Sequence, residues 1–223
     1  MTVNNILCIE SSSQICSVAI SANQDVFFIE SETAQNHAES LVSLIQDCLT
    51  LAKLTIKEMH AVAISSGPGS YTGLRIGTST AKGICFAMNI PLISIDTLRS
   101  IAYGARAIEG LSDGLLWPMV DARRMEVYHC VFDCELNRLT EVKNGIIDED
   151  GFTPAIVDSK TLVCGDGAEK AEFLLGLRRI VNVPHAKWMC EQAQRKFSLQ
   201  EFEDLEKFEP YYLKFANITV SNK

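Results

Sequence analysis

Residues 65–83 read Ser-Ser-Gly-Pro-Gly-Ser-Tyr-Thr-Gly-Leu-Arg-Ile-Gly-Thr-Ser-Thr-Ala-Lys-Gly, and this run constrains the fold more than any other stretch. It follows Ala61-Val62-Ala63-Ile64, an apolar run of strand character, and enters a segment with Leu74, Ile76, Ala81, Ile84 and Met88 at helical spacing. Gly67, Pro68 and Gly69 set a sharp strand-to-helix turn, because glycine tolerates positive φ and proline fixes its own. A helix that starts after such a loop presents free backbone N–H groups and its positive dipole end, which suits a phosphate. A nucleotide site is therefore the first reading to test.

Known phosphate loops do not match in register. A Walker loop needs lysine after its second glycine, and Leu74 follows Gly73. The dinucleotide fingerprint needs glycine where Thr72 stands. Gly73, Gly77 and Gly83 continue inside the helix, where each costs about 1 kcal/mol relative to alanine and so calls for a reason. With Thr80 or Ala81, Gly73 and Gly77 place small residues on one face that another helix can approach closely.

The chain has 223 residues and a formal net charge of −8, enough length for one large domain or two lobes with their own cores. Nucleic-acid binding draws on Lys and Arg neutralising phosphates. An acidic chain with no long basic run is a poor binder of RNA by itself, and meets tRNA only through partners. No apolar run is long enough to span a bilayer, and the first basic residue is Lys53, so the expected location is the cytoplasm, without a membrane partner. The eight cysteines include no Cys-x-x-Cys pair and stand mostly among apolar residues, which reads as buried small side chains.

Element order is the next signal. Strands are expected over residues 6–10, 15–20 and 25–30, an amphipathic helix over 36–53, a strand over 61–65, the glycine-loop helix ending at Asn89, a strand over 91–95, and a helix from Asp96 or Thr97 to about Ala107. The second half nearly repeats this order, with strands over 115–121, 125–132 and 139–145, a weak helix, a strand over 161–164, a helix over 168–175, a strand over 180–183 and a helix over 185–197. Two lobes follow, residues 1–108 and 109–223, with the C-terminal tail able to return to the first.

This duplicated βββαβαβα order is the pattern of the two-lobed actin/Hsp70-like α/β superfamily, also described as ribonuclease H-like. There an acidic residue ends the first strand of each lobe and faces a nucleotide. Glu10 and Asp121 occupy those places; with Ser12, Gly67 and Gly69 they form the candidate nucleotide set, a carboxylate serving there to hold a metal ion or its water beside a phosphate. Ala122, Arg123 and Arg124 stand where close phosphate approach favours glycine. The alternative is that Asp121 and Arg123 only stabilise a hairpin.

Ile6–Glu10 with Ser11-Ser12, His37-Ala38-Glu39-Ser40-Leu41, Gly67-Pro68-Gly69-Ser70-Tyr71-Thr72-Gly73-Leu74-Arg75-Ile76-Gly77, Ala81-Lys82-Gly83, Asp121-Ala122-Arg123-Arg124-Met125-Glu126-Val127-Tyr128, Gly165-Asp166-Gly167-Ala168 and Pro210-Tyr211-Tyr212-Leu213-Lys214 occur in that order. Together they resemble the TsaB (YeaZ) family of bacterial tRNA-modification proteins. The resemblance implies a non-catalytic scaffold or dimerization subunit in the formation of N6-threonylcarbamoyladenosine at position 37 of tRNAs that read codons beginning with A. It implies a TsaD-like catalytic partner, a TsaE-like ATPase and a homodimer when TsaD is absent. The helices near 36–53 and 72–88 correspond to the family's partner interface. His37, Leu41, Ile45, Gly73, Gly77, Thr80 and Ala81 are the expected contact residues. No cofactor is required by the chain itself, and ATP or ADP would sit at a subunit interface.

The residues agree with a non-catalytic role. TsaD-like enzymes carry a His-x3-His metal pair, and Leu41 follows His37 by four. His60, His129 and His185 are scattered singly and read as structural or surface residues. No catalytic residue and no metal ligand is assigned. Tyr211, Tyr212 and Phe215 are expected as core anchors of the tail. The rival is a nucleotide-binding enzyme of the same fold, either a phosphotransferase or a TsaD-like metalloenzyme.

Overall fold

The computed structural model describes residues 4–31, 37–147, 152–154, 156–171 and 177–213, with the side chains of residues 37–39 outside that description. The first half comprises β1 (Ile6–Glu10), β2 (Ser17–Ala22), β3 (Asp25–Glu30), α1 (His37–Ala52), β4 (Ala61–Ser65), α2 (Tyr71–Met88), β5 (Leu92–Ile95) and α3 (Thr97–Glu109). β1 and β4 are apolar up to their last residues, Glu10 and Ser65, and buried on both faces, as befits central strands. β3 is mostly exposed and lies at the edge. The sheet order is β3-β2-β1-β4-β5, with β1–β2 and β2–β3 antiparallel and β1–β4 and β4–β5 parallel.

Caps account for the helix limits. The Ser70 hydroxyl accepts from the Gly73 N–H (3.2 Å) at the start of α2, and Asn89, at φ +53°, ends it. Asp96 accepts from the Arg99 N–H (2.9 Å) before α3, which stops at Gly110 with φ +63°.

The second half contains β6 (Leu115–Asp121), β7 (Glu126–His129), β8 (Phe132–Asp133), β9 (Lys143–Ile146), β10 (Leu162–Cys164), β11 (Arg178–Ile180) and α4 (Cys190–Ser198). Its sheet runs β11-β10-β6-β7-β9, with β8 also paired to β6. The central arrangement of the first sheet recurs. β6 lies between an antiparallel hairpin partner and a parallel strand, as β1 does. Glu10 and Asp121 therefore end equivalent strands.

Local detail departs from expectation mainly here. The strand expected over 125–132 stops at His129, the third strand is displaced to 143–146, and no helix lies between β9 and β10 among the described residues. Asp166–Ala171 forms 3-10 turns where a helix over 168–175 is expected, and residues 172–176 lie outside the described set. The helix expected over 185–197 is a 3-10 turn, Ala186–Met189, followed by α4.

Each sheet takes a covering helix from the other half of the chain. Leu98, Ile101, Ala102 and Ala105 of α3 pack on Leu116, Val120, Leu162 and Cys164 of the second sheet. Met189, Cys190 and Ala193 pack on Ile6, Cys8, Ala61, Ala63 and Ile93 of the first. α3 meets the 3-10 turn before α4 where a Cβ on Gly104 would lie 2.8 Å from the Trp188 indole. The tail then follows β5, with the Glu203 N–H donating to Leu92 O (2.9 Å), and passes under Lys82, whose amine donates to Glu206 O and Phe208 O (both 3.2 Å). It crosses the glycine loop, where the Tyr211 N–H donates to Ser66 O (2.7 Å), and Leu213 reaches the second core. All eight cysteines are free and buried, as expected.

Candidate functional site

The ends of the parallel strands carry the candidate nucleotide residues. Glu10 is fully buried at the end of β1; its Oε1 accepts from the Ser12 N–H (2.6 Å), while Oε2 has no hydrogen-bond partner, nor has Ser12 Oγ. Burial pushes the Glu10 carboxyl above the ordinary carboxylate range, and the Asp166 charge across the cleft adds to this.

The glycine loop is filled by its own chain. A Cβ on Gly67, which sits at φ +98°, would lie 2.6 Å from the Tyr211 carbonyl oxygen, and one on Gly69 would lie 2.5 Å from that of Ser12. Ser12 O also accepts from the Ser70 N–H (2.6 Å). The space freed by missing side chains thus holds protein backbone, which leaves these two glycines a poor fit to a phosphate.

Asp121 is engaged as well. Its Oδ1 accepts from the Arg123 N–H (2.5 Å) and from Lys170 Nζ (2.6 Å), and its N–H donates to Asp166 Oδ1 (3.1 Å). Burial, with the Asp121 charge adding to it, pushes Asp166 up to about 6. An internal lysine therefore stands at the carboxylate where a metal ion would be required, and the hairpin alternative describes the contacts of Asp121. Between the lobes lies a cavity of about 360 Å³ lined by Ser66, Gly67, Asp96, Arg138, Glu141, Val142 and Tyr211. The Asp96–Arg138 ion pair spans it.

The histidines with described side chains are structural. His129 Nδ1 accepts from Trp117 Nε1–H (3.0 Å), His60 Nδ1 accepts from the Asn5 N–H (2.9 Å), and burial pushes His129 and His185 down to about 4. Among the described residues no group of three or more His, Cys, Asp or Glu side chains is placed to hold a metal ion. Tyr211 anchors the tail through its backbone, its ring being exposed, while the Tyr212 ring packs at a tilt against Tyr71 (4.8 Å between centroids); Phe215 lies outside the described residues.

The helix face requires a correction. Leu41, Ile45, Gly73, Gly77 and Ala81 are buried in this chain's own core, and Thr80 is half-buried. A Cβ on Gly73 would lie 2.0 Å from the Ser11 carbonyl oxygen, and one on Gly77 would lie 2.1 Å from Ser11 Oγ. The small residues admit the β1 turn, not a partner helix. The side chain of His37 lies outside the described set. On the outer side of α2, Ser79, Gly83 and Phe86 follow i, i+4, i+7 spacing and are exposed. Phe86 is 82% exposed, and a Cβ on Gly83 would meet nothing within 4 Å. Val42 and Leu51 of α1 are exposed too. The signal that could have found this face was the third glycine, whose cost nothing in the fold offsets.

Two sheets of matching order, each covered by a helix from the other half of the chain, define a protein of the two-lobed actin/Hsp70-like α/β class. The overall likeness is to YeaZ from Pseudomonas aeruginosa, at a TM-score of 0.82 and 22% identity over 94% of this chain and 100% of that one, which speaks for the fold. The family model described as TsaD, tRNA N6-adenosine threonylcarbamoyltransferase, matches residues 28–154. The tRNA threonylcarbamoyladenosine biosynthesis protein TsaB of Escherichia coli is 32% identical over 132 residues, 59% of this chain and 56% of that protein. The Bacillus subtilis protein of the same name is 29% identical over 146 residues, 65% and 58% respectively. The chain thus spans about half the length of the curated relatives it matches. It belongs to the TsaD-related family, and the two curated relatives just described carry the TsaB name.

Proposed function

We propose that this chain is a non-catalytic subunit in the formation of N6-threonylcarbamoyladenosine at position 37 of tRNAs that read codons beginning with A. It binds and supports a TsaD-like catalytic subunit, with a TsaE-like ATPase joining the assembly in the cytoplasm, and tRNA is met only through that assembly. The observation that carries this reading is the outer face of α2, where Gly83 leaves open space beside the 82% exposed Phe86. An aromatic beside a gap of that kind fits a partner helix. In the absence of the catalytic subunit the same face pairs two copies of this chain.

The test is reconstitution of tRNA modification from the cognate catalytic subunit and ATPase, with and without this chain, alongside co-purification of the Phe86→Asp variant. Modification should depend on the chain, and Phe86→Asp should lose the catalytic subunit while keeping the wild-type melting temperature. Modification that proceeds equally well without the chain refutes the reading.

The rival, a nucleotide-binding enzyme, has in its favour the unpartnered Glu10 Oε2 and Ser12 Oγ. Against it stand the filled glycine loop and Lys170 on Asp121. ATP or ADP at a subunit interface stays compatible with the scaffold role. Calorimetry of the isolated chain with Mg-ATP separates the two, since tight binding with steady hydrolysis would select the enzyme.

A further inference from the structure

The reversal between β6 and β7 is closed by the Ala122 N–H donating to Glu126 O (3.1 Å) and the Glu126 N–H to Arg123 O (3.2 Å). It holds Arg123 at φ +68° and Arg124 at φ +52°. Positive φ is unfavourable for any residue with a Cβ, and a turn chosen for folding alone would carry Asn or Gly here. Gln24, Lys53, Leu136 and Gln200 also take positive φ in this chain, and what sets this turn apart is that both of its left-handed positions carry arginine.

Their side chains point to a reason outside the turn. Both residues are exposed, and neither guanidinium makes a hydrogen bond or ion pair among the described residues. Arg75, Arg106, Arg138 and Arg178 are by contrast each engaged within the chain. The nearby acids have other partners. Asp121 holds Lys170, Asp166 takes the Asp121 N–H, and Glu126 Oε2 accepts from Asn144 Nδ2 (2.8 Å). Beside the arginines stand two exposed apolar side chains, Met125 and Ile146, linked through the Ile147 N–H to Met125 O bond (2.9 Å).

We infer that the Arg123–Arg124 tip is a docking point for a protein partner that presents carboxylates around an apolar side chain, separate from the outer face of α2. Paired guanidinium forks match carboxylates bidentately, and Arg and Met are the residue types that protein interfaces favour. Nucleic acid fits less well, since the chain carries a net charge of −8 and has no use on a phosphate backbone for Met125 and Ile146. The tip belongs to the second sheet and α2 packs on the first, so both surfaces can be occupied together.

The test rests on the assembly proposed above only in its choice of proteins to assay. Affinities of the wild type, of Arg123→Asn with Arg124→Gly, and of Arg123→Gln with Arg124→Gln are measured for the catalytic subunit, the ATPase and tRNA at about 50 and about 300 mM salt. The Asn–Gly variant removes both charges and relieves the backbone; the Gln–Gln variant keeps the backbone cost and guards against a changed turn. The expected result is a loss of about tenfold or more in affinity for one of the two proteins, in both variants, with the salt dependence of that contact abolished. Unchanged affinity for both proteins, or a loss confined to tRNA, overturns the inference while leaving the α2 face intact. Wild-type protein that binds neither subunit overturns the assembly reading and this inference with it.

Discussion

Gly73 and Gly83 occupy the same helix, and replacing each with alanine should move stability in opposite directions. The intrinsic gain of Gly→Ala in a helix interior is about 1 kcal/mol at either position. At Gly83 nothing lies within 4 Å of the new methyl group, so most of that gain survives. At Gly73 the methyl would sit 2.0 Å from the Ser11 carbonyl oxygen, a full ångström inside the 3.0 Å that side-chain carbons do not breach. Backbone must then move in a buried position, at about 1–3 kcal/mol. The Ser11 Oγ–H to Gly73 O bond of 2.9 Å is disturbed with it, at about 1 kcal/mol more. Subtracting the helical gain leaves Gly73→Ala destabilised by about 1–3 kcal/mol. For a chain of this length each kcal/mol moves the melting temperature by about 2–4 °C. Urea unfolding followed by the fluorescence of Trp117 and Trp188 reads both variants, with the slope expected to stay constant. Midpoints that shift in the same direction, or a Gly73→Ala midpoint equal to wild type, would refute the claim that this chain itself fills the small-residue face.

Two further outcomes follow from the geometry. Asp166, pushed up to about 6 by burial, is protonated more readily in the folded than in the unfolded chain. Its contribution is thus present below about pH 4 and lost as pH rises to about 6, by an amount of order 3 kcal/mol. Asp166→Asn should flatten stability across that window and raise it at pH 7, measured by denaturant midpoints at several pH values; an unchanged slope would contradict the assignment. Gly104→Val should force the Trp188 ring away from α3 and cost about 2 kcal/mol, with a red-shifted indole emission as the readout. An unaltered spectrum and midpoint would show that the contact between α3 and the Trp188 turn is not tightly packed.

The first half was legible because each element states its own limits. Ser70 and Asp96 mark helix starts by side-chain chemistry, Asn89 marks an end by its tolerance of positive φ, and the apolar runs of residues 6–9 and 61–64 announce buried central strands. The second half was less legible because its strands are short, and β10 and β11 of three residues carry no periodicity of their own. The family and the duplicated architecture were readable from motif order, since those motifs lie at strand ends and turns. The orientation of α2 was not. A stripe containing Gly73 and Gly77 says that something approaches closely, and not whether it is Ser11 of the same chain or a partner. The conformation of Arg123 and Arg124 left no signal either, because positive φ at arginine goes against local preference.

The exchange of covering helices bears on how such a chain is made. While residues 186–198 are still within the ribosome, the first sheet has strands and one covered face but lacks the cover that Met189, Cys190 and Ala193 supply. α3 meanwhile has its apolar stripe exposed until β6 and β10 arrive to receive it. Neither half therefore reaches a finished core in turn, as independently folding domains do during synthesis. The segment ending at Tyr211 and Leu213, which crosses the glycine loop, touches both halves. A product stalled before residue 186 would present two half-built cores to chaperones and proteases, and assembly with any partner would wait until residues 186–213 had emerged.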